Sequence, residues 1–92
     1  MAITIFLFRR IQYDTIPTIN MKKTGENIKT LRTNAGLKVR DIQDVMGFES
    51  PQAIYRWEAG GAMPKIDNFI ILSKMLQVSI DDILITEETL YP

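Results

Sequence analysis

Apolar residues recur at helical spacing in five stretches of this chain, and each stretch is bounded by glycine, proline or a capping residue. Ile28, Leu31 and Ala35 stand at i, i+3 and i+7. They predict a first helix that starts after Thr24 as N-cap, runs to about Asn34 and ends at Gly36. A second helix is expected over about Val39 to Met46, with Val39, Ile42, Val45 and Met46 inward and Gly47 as its stop. The third opens most clearly, because Ser50 caps and Pro51 gives up an N–H that would be unpaired anyway. Its inward stripe is Ala53, Ile54 and Trp57, which leaves Gln52, Tyr55, Arg56 and Ala59 outward before Gly60 and Gly61. A fourth helix, about Ile66 to Leu76, carries Ile66, Phe69, Ile70, Leu72, Met75 and Leu76, with Ile71 besides. That stripe is wider than a monomer core needs. The fifth is announced by Ser79 with Asp82 three residues on, a capping-box spacing, and docks through Ile80, Ile83 and Leu84. The expected fold class is all-α: a compact five-helix bundle.

The two ends break this pattern. Residues 1–21 read as an N-terminal extension, residues 22–86 as the helical domain and residues 87–92 as an acidic, frayed tail. Within the extension, Ile3 to Phe8 is a short β-prone apolar run followed by Arg9 and Arg10. It falls well short of the roughly 20 apolar residues that cross a bilayer, and its charges follow the run instead of preceding it as in a signal peptide. A loosely ordered extension ahead of a natural start at Met21 is the expectation. An edge strand pairing between subunits, or a membrane contact, are the alternatives.

Composition narrows the chemistry. The chain has 92 residues, enough for one domain with a thin core, and no cysteine or histidine. Disulfides, thiol nucleophiles, histidine acid–base catalysis and the usual zinc sites drop out, and a cytoplasmic setting fits. Asp81 and Asp82 read as first-turn helix residues, no glycine-rich phosphate loop exists, and neither an enzyme, a metal nor a cofactor is expected. The formal net charge of zero argues against nucleic acid until its distribution is considered. Between Met21 and Lys65, eight Lys/Arg face five Asp/Glu; from Ile66 onward, Lys74 stands alone against five acids. A mildly basic front and an acidic back suit a module that docks one face on phosphate, with modest, salt-sensitive affinity.

Residues 37–58 then become the informative segment. Two short helices joined by a glycine turn can present the second as a probe for the DNA major groove. Phe48, in that turn, is expected to plug the core.

Ile28-x-x-Leu31-Arg32, Gly36-Leu37, Ile42, Gly47, Ile54-x-x-Trp57-Glu58-x-Gly60, Pro64 and the run from Leu72 to Leu84 together resemble the Cro/C1-type helix-turn-helix family of phage and bacterial repressors. The resemblance covers about two-thirds of the chain. It implies a lambda-repressor-like DNA-binding domain acting as a homodimer on a two-fold double-stranded operator, most often repressing, with no membrane or small-molecule partner. Carried over position by position, it makes Ser50, Pro51, Gln52, Tyr55 and Arg56 base contacts. Glutamine pairs bidentately with adenine and arginine with guanine, each pair worth about 1–3 kcal/mol of discrimination. The resemblance further implies a structural ion pair between Arg32 and Glu58. Phosphate contacts are expected from Lys38, Arg40 and Lys65, with Lys22, Lys23 and Lys29 as further cations.

Three features depart from the family. Lys38 and Val39 stand where a hydroxyl cap and a phosphate-holding glutamine are common, and Gln43 where a small alanine is preferred. The loop between the second and third helices is about one residue longer than usual, and the segment after the third lacks basic residues. Weak monomer binding and reliance on dimerisation follow. The competing expectation is a protein-interaction or antitoxin-like module of the same fold that uses its last two helices.

Overall fold

The computed structural model describes residues 15–90, and these form five helices flanked by two short strands. In chain order they are β1 (Thr15–Ile19), α1 (Met21–Asn34), α2 (Val39–Met46), α3 (Gln52–Glu58), α4 (Ile66–Leu76), α5 (Ile80–Ile83) and β2 (Thr86–Leu90). The strands correct the all-α expectation. They pair antiparallel in one two-stranded sheet, with Thr15 opposite Leu90 and Ile19 opposite Thr86. Residues 15–19 of the extension therefore pair with residues 86–90, the last residue assigned to the helical domain and the first four of the tail. β-branched Thr and Ile suit the pleat of β1, and cross-strand bonds join the pair: Thr18 to Thr89 through their hydroxyls at 2.7 Å, and Thr15 to the Glu88 carboxylate at 3.0 Å. The apolar run Ile3 to Phe8 lies outside the described residues.

The start of α1 also differs from expectation. Asn20 is the N-cap, its Oδ1 accepting the Lys23 N–H at 2.9 Å. Thr24 sits one turn inside the helix, fully buried. Its hydroxyl donates to the Ile85 carbonyl and accepts the Ile85 N–H at 3.0 Å, so it ties α1 to the segment entering β2. Asn27 adds two bonds from its Nδ2, to the carbonyls of Asp82 at 2.8 Å and Ile83 at 2.9 Å. A capping hydroxyl and a tertiary one look alike in sequence, because both are threonines near a helix start.

α1 packs on α3 and α5, α2 packs on α3 and α4, and α4 packs on α5. α1 and the end of α3 meet closely at Gly25, where an added Cβ would overlap the carbonyl oxygen of Trp57. Gly60, at φ +79°, lies against α1 as well, and a Cβ there would come within 2.7 Å of the Lys22 Cα. Glycine lets two backbones meet where any side chain would hold them apart.

Ile28, Ile42, Ile54, Trp57, Phe69, Leu72, Leu76 and Ile83 form the core, one or more from every helix. Two residues expected to face inward are exposed: Val45, at 60%, and Ala35, at the C-cap of α1. Ile66 and Ile70 are 77% and 50% exposed on the outer side of α4, within the stripe expected to be wider than the core needs. Each sits at the edge of its helical stripe, where periodicity alone does not say how far the neighbouring helix reaches. Helix stops behave as their residues require: Gly36 and Gly47 take left-handed φ values of +74° and +72°. Gln77 does the same at φ 56°, closing α4 without a glycine. Ser79 and Asp82 form the reciprocal capping box of α5, at 3.1 and 3.2 Å.

Candidate nucleic-acid interface

The outward face of α3 is set by what its inward face must bury. Ile54 is fully buried and Trp57 is 4% exposed, and the Phe48 ring meets Trp57 edge-on at 5.8 Å. Phe48 thus fixes the α2–α3 turn from within. With Ile54 and Trp57 turned inward, the helical repeat turns Gln52, Tyr55 and Arg56 to solvent, and all three are exposed. Gln52 and Arg56 are one turn apart on this face. Ser50 is exposed and Pro51 half-buried. Both stand just ahead of the helix instead of within it, with Pro51 at the N-cap position and the Gln52 N–H reaching the Ser50 hydroxyl at 3.5 Å.

Gln43 stands where a small alanine is preferred in the family. Its side chain is half-buried and turns toward the loop, where Nε2 donates to the Phe48 carbonyl at 3.2 Å. The longer α2–α3 connection therefore carries an internal brace.

Arg32 and Glu58 form the single ion pair among the described residues. Arg32 Nε meets Glu58 Oε2 at 2.7 Å and Nη2 meets Oε1 at 3.1 Å, with side chains 11% and 7% exposed. Nη1 donates to the Leu37 carbonyl at 3.0 Å, bringing the α1–α2 connection into the same clamp. The hydrogen bonds that Arg32 donates to the Glu58 carboxylate raise the guanidinium pKa above its ordinary value, and burial opposes this. This pair faces inward and positions α3.

The cations named from sequence are spread out. Lys38 is the N-cap of α2, and its backbone N–H donates to the Asp41 carboxylate at 2.7 Å. Asp41 thus complements the positive end of the α2 dipole, leaving the exposed Lys38 ammonium as the free charge there. Arg40 is exposed on the first turn of α2. Lys65, the N-cap of α4, borders a separate cleft with Phe48, Ala53 and Trp57. Lys29 is one of the further cations that the sequence names beside these three. In the fold it lines one shallow depression with Val39, Tyr55 and Ala59, beside the Arg32–Glu58 pair. Its position one turn before Arg32 on α1 places it there.

Among the described residues no cluster of three potential metal ligands occurs, and no helix is long and apolar enough to cross a membrane.

Comparison with known proteins adds the family. The Helix-turn-helix family model matches residues 28–83, more than half of the chain. The restriction-modification controller protein C.AhdI from Aeromonas hydrophila has a similar structure, with a TM-score of 0.62 at 20% identity over 70% of this chain and 96% of that one. The DNA-binding domain of BldD is similar with a TM-score of 0.59 at 18% identity, over 71% of this chain and 93% of that one. No curated protein gives a significant sequence match. The family match spans the α2–turn–α3 unit with its exposed α3 face, and the chain belongs to the Cro/C1-type helix-turn-helix family of DNA-binding transcription regulators.

Proposed function

We propose that this chain is an operator-binding repressor that lays α3 in the major groove and acts as a homodimer in the cytoplasm. The observation that carries the reading is the division of α3, with Ile54 and Trp57 in the core and Gln52, Tyr55 and Arg56 free on the opposite side. Ser50, Pro51 and Gln52 lead the helix into the groove, Gln52 reads adenine and Arg56 reads guanine by paired hydrogen bonds. Tyr55 lies between them and packs on the sugar-phosphate edge. Lys38 and Arg40 at the start of α2 hold phosphate by charge, joined by Lys29 from α1, while Lys65 grips the backbone from the start of α4. The acidic residues from Asp67 onward lie in the second half of the chain and steer that side away from the duplex.

Selection from a random double-stranded DNA pool tests the proposal. The expected result is enrichment of a two-fold site, lost in a Gln52→Ala/Arg56→Ala variant that keeps the wild-type melting temperature. Enrichment that survives this double substitution would move base reading off α3. Repression is tested by placing the selected site across a promoter, where transcription is expected to fall when the protein is present. A rise instead would make the protein an activator.

A further inference from the structure

Lys29 and Tyr55 stand in the same relation to the Arg32–Glu58 ion pair. Lys29 is three positions before Arg32 on α1, and Tyr55 is three positions before Glu58 on α3. Side chains three apart on a helix are neighbours on one face. The paired bonds of 2.7 and 3.1 Å between the two helices therefore hold Lys29 and Tyr55 beside one another, and both line the depression there. Glu58 is the main cause of the raised Arg32 pKa and Tyr55 a lesser one, so the phenol lies near the guanidinium. In the depression the charges of Arg32 and Glu58 offset each other, and Lys29 makes no ion pair among the described residues. What remains is an ammonium with three N–H donors and, from a residue 52% exposed, a phenolic O–H. Two such donors across a gap suit a compact anion with several acceptor oxygens.

We propose that Lys29 and Tyr55 close on one and the same phosphodiester of the bound duplex, Lys29 by charge and Tyr55 by its hydroxyl. The inference rests on α3 being the groove-facing helix and goes beyond that reading by making two helices share a single phosphate. Tyr55 stands within one turn of both Gln52 and Arg56. A phosphate held there fixes how far α3 advances along the groove, since backbone contacts set register while base edges supply sequence. The ion pair already spaces the two donors, so little ordering of the helices is left for binding to supply. A duplex phosphate is favoured over a free one. One ammonium and one neutral hydroxyl leave most oxygens of a free dianion to water, whereas Lys38 and Arg40 at the start of α2 hold the duplex alongside.

Methylphosphonate substitution, which makes one phosphate neutral at a time along the duplex selected by the full chain, tests the shared contact. Wild type is expected to lose affinity about tenfold at one linkage in each half-site. Lys29→Ala and Tyr55→Phe, each with the wild-type melting temperature, are both expected to become insensitive at that same linkage. On unmodified duplex their combined loss is expected to fall well short of the product of the single losses, whereas Lys65→Ala with Tyr55→Phe multiplies. Insensitivity at two different linkages, or losses for Lys29→Ala and Tyr55→Phe that multiply, would overturn the proposal while leaving the reading of α3 intact. A pool that yields no selected site would overturn both. Inorganic phosphate at millimolar concentration, without DNA, is expected to leave the Tyr55 ring resonances in place. A shift that Lys29→Ala abolishes would make this a free-anion site and overturn the assignment to the duplex.

Discussion

Arg32 and Glu58 join α1 to α3 through two parallel N–H···O bonds, and the third guanidinium nitrogen holds the Leu37 carbonyl ahead of α2. One side chain therefore sets the mutual position of α1, the start of α2 and α3, and with it the outward face of α3. Removing either partner leaves a nearly buried charge without its counter-ion, so Arg32→Ala or Glu58→Ala is expected to cost about 3 kcal/mol. Urea denaturation measures it. Arg32→Lys is expected to recover little, because an ammonium does not span both carboxylate oxygens and the Leu37 carbonyl.

Gly25→Ala sets two effects against each other. In an exposed helix interior alanine is favoured over glycine by about 1 kcal/mol. Here the new methyl group overlaps the Trp57 carbonyl and nears that of Glu58, both backbone atoms that move only with the end of α3. Overpacking costs about 1–3 kcal/mol and is expected to win, so Gly25→Ala lowers the urea midpoint. A raised midpoint would show that α3 shifts freely.

Thr24→Val keeps shape and removes the hydroxyl. The Ile85 N–H then loses its acceptor in a buried setting, with an expected cost of about 1–3 kcal/mol. Hydrogen exchange of the Ile85 amide provides a local check, since its protection is expected to collapse before that of the Ile54 amide.

Substitutions on the outward face should separate reading from folding. Gln52→Ala and Arg56→Ala remove exposed side chains and are expected to change stability by less than about 0.5 kcal/mol. Each is expected to relax preference at one base position by about 1–3 kcal/mol. Lys38→Ala is expected to weaken binding uniformly across sequences and to lower the salt slope by about one unit. Competition binding at several salt concentrations distinguishes these outcomes.

Ile54→Ala provides the contrasting case. A fully buried isoleucine truncated in a thin core is expected to cost about 2–5 kcal/mol, whereas Val45→Ala, at a position 60% exposed, is expected to cost little. Thermal unfolding of the two variants gives the difference directly.

The sequence by itself determined the five helices and their stops, because caps, glycines and apolar spacing act through residues within a turn or two. Gly47, Ser79 with Asp82, and the inward stripe of Ile54 and Trp57 needed no distant partner to be read. The outward placement of Gln52 and Arg56 followed from that stripe.

Tertiary structure alone decided what depends on a second element far along the chain. The tail pairs with the extension because Thr18 and Thr89 meet across 71 positions, and no local pattern announces that meeting. Thr24 serves Ile85, 61 residues away, where the sequence offered it as a cap. Gly25 looks like a weak helix residue until the Trp57 carbonyl is seen against it. Val45 and Ala35 face inward by spacing and yet are exposed, because burial depends on where neighbouring helices end. Periodicity fixes the direction in which a side chain leaves its helix, and packing decides whether anything waits there.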